Sequence, residues 1–140
     1  MNRLRLLVLA GVLAAAVPFG MTAASATGSP NSVTINEKAQ YDLFGEQIHV
    51  GLTVRCQPSA VSESGFVDVV LRQEYPETPN PLGATGVGGN AVVCDGRSRA
   101  VAVTVPLGFF DAGRAFATAT VTGPTGAEAT ASRWITIVHV

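Results

Sequence analysis

From Gln47 to Cys56 the chain alternates strictly: Ile48, Val50, Leu52, Val54 and Cys56 share one face, while Gln47, His49, Gly51, Thr53 and Arg55 share the other. A period of two marks a strand with one buried face, because successive side chains of an extended chain point to opposite sides. The pattern returns in Val67, Val69 and Leu71 against Asp68 and Arg72, and in Val101, Val103 and Val105 against Ala102 and Thr104. It returns again in Ala115, Ala117, Ala119 and Val121 against Phe116, Thr118 and Thr120. A last run reaches from about 129 to 140, and shorter strands are predicted at 32–36, near Tyr41 and at 90–95.

No stretch beyond residue 26 sustains a helical stripe, and Thr, Val and Gly stand where a helix would need Ala, Leu, Glu and Lys together. Turn residues interrupt the strands at 44–45, 58–65, 76–89, 95–96, 106–113 and 123–126. Seven or eight strands in about 110 residues predict an all-β fold, an immunoglobulin-like antiparallel β-sandwich.

Cys56 and Cys94 are the only cysteines. They follow an N-terminal segment with a basic start (Arg3, Arg5), an apolar stretch from Leu6 to Phe19 and the small-residue pattern Ala24-Ser25-Ala26. That is the layout of a secretory signal, so 1–26 is read as a signal peptide and 27–140 as one secreted sandwich domain beginning near Thr27. In an oxidising compartment a cysteine pair persists as a structural disulfide. If the strand ending at Cys56 is an immunoglobulin-type B strand and that at Val101–Val105 is E, the end of B meets the start of E. Cys94, just before the Asp95-Gly96 turn, then lies within reach of Cys56, unlike the bridge of antibody domains, which joins B to F.

Composition narrows the partners. Without Arg3 and Arg5, seven basic residues face ten acidic ones, a net charge of −3 with no basic run. This disfavours nucleic acid and anionic membrane surfaces. No second apolar stretch of about 18 residues follows the signal, so no membrane span is expected in the mature protein, which is read as a monomer outside the cell.

The segments Val54-Arg55-Cys56, Val93-Cys94-Asp95-Gly96, Val101–Val105, Phe110–Ala119 and Ser132–Ile137, taken in order, resemble an uncharacterised family of small secreted actinobacterial domains with one disulfide. That resemblance implies an immunoglobulin-like sandwich and export, with no activity attached. A second similarity, to the neocarzinostatin-type chromophore carriers, implies a small-molecule carrier with an apolar cleft between its sheets. Those carriers hold two disulfides, and this chain can form one.

No residue pattern points to catalysis. His49 and His139 stand apart from any Asp, Glu, Cys or His at ligand spacing, no glycine-flanked serine suggests a nucleophile, and Glu74, Glu77, Asp95 and Asp111 are expected in turns as solvated carboxylates. No EF-hand pattern is present, and Gly86-Val87-Gly88-Gly89 precedes no helix that would aim amides at a phosphate. The chain is therefore expected to be a non-enzymatic module without metal or cofactor, binding a protein, a polysaccharide or an envelope component. The aromatics Phe44, Phe66, Phe109, Phe110, Phe116 and Trp134 are assigned mostly to core or sheet packing. The exception is Tyr75, which opens a proline-stiffened segment read as a loop as far as Gly89; Tyr75, Pro76, Pro79 and Leu82 are the candidate contact residues.

Overall fold

The computed structural model describes residues 30–42, 44, 46–74 and 83–140. The signal segment, Thr27 and the candidate contacts Tyr75, Pro76, Pro79 and Leu82 lie outside them. The described chain is all-β, with strands β1 (Ser32–Ile35), β2 (Lys38–Asp42), β3 (Gln47–Arg55), β4 (Ser64–Gln73), β5 (Ala84–Val93), β6 (Ser98–Pro106), β7 (Gly113–Thr122) and β8 (Glu128–His139).

These strands pack as a sandwich. One layer is built on β3, which pairs with β1 and β6, and the other runs β8-β7-β4-β5. The strand β2 belongs to both: it is antiparallel to β3 through Gln40 and His49, and parallel to β8 through Lys38 and Thr136. Every other pairing is antiparallel, and the β3–β6 and β8–β7–β4 adjacencies match the B–E and G–F–C neighbours of immunoglobulin sandwiches. On the far flank β5 turns in against β6, where the Asn90 side-chain amide donates to the Ala102 carbonyl at 3.3 Å. With β2 stitching one side and β5 closing the other, few strand edges are left to pair with another chain.

The alternation seen in the sequence sorts the core. Ile48, Val50, Leu52 and Val54 of β3 meet Val67, Val69 and Leu71 of β4 and Ile135 and Ile137 of β8 in one continuous buried cluster. Each such side chain removed from water contributes about 1.5–3 kcal/mol. The inward positions of β7 are Ala115, Ala117, Ala119 and Val121, all fully buried, and their small volume lets the facing layer approach. Phe110, in the β6–β7 connection, closes one end of the core.

The stretch from Gly83 to Gly89 departs from expectation. Its composition reads as the end of a long loop, but Ala84–Val93 is a strand paired with β4 along its whole length, from Gln73 opposite Ala84 to Ser64 opposite Val93. Glycines hide alternation because they have no side chain to alternate. They are needed for proximity: a Cβ on Gly86 would come 2.6 Å from Val105 Cγ1 and 2.9 Å from the Phe110 ring, and one on Gly88 would overlap the Thr104 carbonyl oxygen.

Cys56 and Cys94 form the expected disulfide, with Cα atoms 4.4 Å apart. The β3–β6 register brings Arg55 opposite Ser98, as the B-to-E reading requires. Cys94 also continues β5, its amide donating to the Glu63 carbonyl at 2.7 Å, so the bridge fastens one layer to the other. Beside it the buried Asn31 donates to the Ala127 carbonyl at 3.1 Å and accepts from the Gln57 amide at 2.8 Å, tying the start of β1 to both neighbouring loops.

The turn after Cys94 carries a surface ion pair between Asp95 and Arg99. The hydrogen bond from Arg99, reinforced by the Arg97 amide, holds the Asp95 carboxyl down to about 2. A depressed carboxylate stabilises the fold above its unfolded value of about 4 and loses that contribution as pH falls toward 2. Asp95→Asn is therefore expected to melt slightly below wild type at neutral pH, with the gap closing between about pH 4 and pH 2. Thermal melts across that range check it; a constant gap would mean that the ion pair is not its source.

Candidate binding surface

The outward faces of β4, β7 and β8 bring together residues far apart in sequence. Register places Arg72 opposite Phe116 and Phe116 opposite Trp134, forming a row across three strands. The two aromatic rings meet edge to face, their centroids 5.1 Å apart at 61°. The Arg114 guanidinium lies 4.1 Å from the Trp134 ring centroid, a cation–π contact on an indole that stays half exposed. One step along the strands the row becomes polar, with the Thr118 and Ser132 hydroxyls 2.9 Å apart, and then Thr120 and Thr130 at 3.1 Å.

At the Trp134 end the face dips into a depression of about 470 Å³ lined by Gln73, Glu74, Asp111, Ala112, Gly113, Arg114 and Trp134. Two adjoining hollows of about 240 and 230 Å³ extend it past Phe116 to Arg72. Gln73 sets the shape of its wall. Its side chain is buried, donates to the Asp111 carbonyl at 2.9 Å and the Arg114 carbonyl at 3.2 Å, and accepts from the Asp111 amide at 2.8 Å. Three hydrogen bonds to one turn hold residues 111–114 in place, so the Asp111 and Arg114 side chains start from a fixed backbone.

Charges of both signs lie along the face: Arg114, Glu74 and Asp111 line the depression, and Arg72 lines the two hollows beside it. Among the described residues none of the four forms an ion pair with another.

Other sequence candidates stay apart. The His49 ring sits beside Thr104 at 3.3 Å, His139 stacks edge-on against Tyr41 at 4.6 Å, and no three His, Cys, Asp or Glu side chains cluster at metal-binding distance among the described residues. The candidate contacts Tyr75, Pro76, Pro79 and Leu82 lie outside the described residues; of the residues flanking them, Glu74 lines the depression and Gly83 sits beside Gln73. The stretch from Ala84 to Gly89 is strand, which corrects the loop reading there. Of the aromatics assigned to packing, Phe110 is in the core, whereas Phe44, Phe66, Phe109 and Trp134 are exposed to solvent.

No protein-family model matches this chain, and no curated protein matches it either. No helix among the described residues is long and apolar enough to cross a membrane.

Proposed function

We propose that this is an exported, non-enzymatic binding module whose contact surface is the outer face of β4, β7 and β8 around the Trp134 depression. The observation that carries the proposal is the convergence on one face, across three neighbouring hollows, of Trp134, Phe116, Arg114 and Arg72 from three strands, with Glu74 just past β4 and Asp111 in the β6–β7 connection. Solvent-exposed aromatic and arginine side chains packed together contribute large contact area at low conformational cost, which is why they dominate binding hot spots. The disulfide is compatible with life outside the cell, where the partner would be met. A carrier of small molecules would need space between the layers, and there the inward side chains form one continuous core.

The test is co-sedimentation of the secreted protein with washed envelopes of the producing cell. Wild type should be captured, Trp134→Ala should lose at least tenfold of that capture, and Val61→Ala, exposed in the turn that precedes β4, should behave as wild type. Equal capture of Trp134→Ala at equal folded concentration would move the contact surface elsewhere.

A further inference from the structure

Resting on the surface proposed above, we infer that its ligand is a neutral polyhydroxylated chain, a polysaccharide without charged groups, with one sugar unit seated in the Trp134 depression. The charges favour this class. Arg114, Glu74 and Asp111 line the depression and Arg72 the hollows that continue it, so a polyanion lying along the face would meet Glu74 and Asp111 and a polycation would meet Arg114 and Arg72. A sugar hydroxyl both donates and accepts, and mixed signs suit it: carboxylates accept its hydrogen, and guanidinium N–H groups donate to its oxygen.

Size and shape agree. A depression of about 470 Å³ that opens along the face into two smaller hollows admits one ring and lets the chain continue toward Phe116 and Arg72. Beyond them the paired hydroxyls of Thr118 with Ser132 and Thr120 with Thr130 line the same flat face with groups that can exchange hydrogen bonds with further hydroxyls. Arg114 already covers part of the indole, so the sugar meets the guanidinium edge and the rim of Trp134 as one prearranged unit.

Trp134 is the only tryptophan, so its fluorescence reports on the site itself. The experiment titrates the mature protein with soluble neutral polymers (hydroxyethyl cellulose, mixed-linkage glucan, dextran, galactomannan) and with the anionic polymers alginate and polygalacturonate. Affinity electrophoresis in the same polymers gives a second readout. At least one neutral polymer should shift the emission and retard migration, with little dependence on salt. Glu74→Gln and Trp134→Ala should each weaken the retardation about tenfold or more, and Val61→Ala should not. No response to any neutral polymer would overturn the inference, as would retardation by the anionic polymers alone that fades with salt. If envelope capture still depends on Trp134 in that case, the surface stands and the sugar assignment falls; if Trp134 matters in neither assay, both fall.

Discussion

Replacing Cys56 and Cys94 together by alanine is expected to lower the unfolding free energy by about 4 kcal/mol while the strands stay in place. The bridge closes a sequence separation of 38 residues, and in the chain-entropy model a loop of that length restricts the unfolded ensemble by about that amount. A domain of this size has a total stability on the order of 5–15 kcal/mol, so the loss is a large share. The melting temperature should fall by roughly 15 °C. Both cysteines are buried, and the double variant leaves no unpaired thiol. Urea unfolding with intact and reduced wild type alongside the variant checks the figure, and a loss under 1 kcal/mol would mean that the reduced chain already holds these ends together. The bridge lies at the Ser64 end of β4 and the Trp134 depression at the Gln73 end, nine residue steps or roughly 30 Å away. Binding at the depression should therefore survive in whatever fraction of the variant remains folded.

Much of this architecture is legible in the sequence because the core is written in alternation. Ile48 to Val54, Val67 to Leu71 and Ala115 to Val121 are buried at every second residue, and the residues between them face outward. The cysteine pairing followed from adjacency of two strands, and the bridge is present. Alternation is silent where side chains are missing, which is why the first part of β5, with its three glycines, reads as loop and only its end from Asn90 reads as strand. It also says nothing of the role of β2, because five residues that pair with two strands in opposite senses look like any short strand.

The candidate surface was half legible. Phe116 shares parity with Thr118 and Trp134 with Ser132, so the period of two already put both aromatics outside. Counting equal steps back from the Gly123–Gly126 turn, closed by the Gly123 amide on the Ala127 carbonyl, sets Phe116 directly across from Trp134. The assignment of aromatics to core or sheet packing holds for this pair as packing on the outer face of the sheet. The arrival of Arg72, Glu74 and Asp111 was not legible. It depends on β4 pairing with the distant β7 as well as with its neighbour β5, and on the Gln73 side chain fastening a turn 38 residues away.

Gly88→Val is expected to cost about 3 kcal/mol and to promote association, although the position reads as an unremarkable glycine in a glycine-rich stretch. A Cβ there would overlap the Thr104 carbonyl oxygen and come 2.9 Å from its carbon and 3.1 Å from Val103 Cγ1. Two of these are backbone atoms of β6, itself paired with β3 through all nine residues, so they have little room to retreat. The strain must instead move β5 outward, in the range expected when a packed site is overfilled. Moving β5 would break the Asn90 contact with Ala102 and bare two strand edges that now shield each other. Val87→Ala, one residue away with its side chain largely in solvent, should change stability by less than about 0.5 kcal/mol. Urea midpoints for the two variants, with light scattering across a concentration series, test the pair of expectations. A Gly88→Val protein as stable and as monodisperse as wild type would mean that β5 and β6 do not approach this closely, and that the flank of the sandwich is open where it is described as closed.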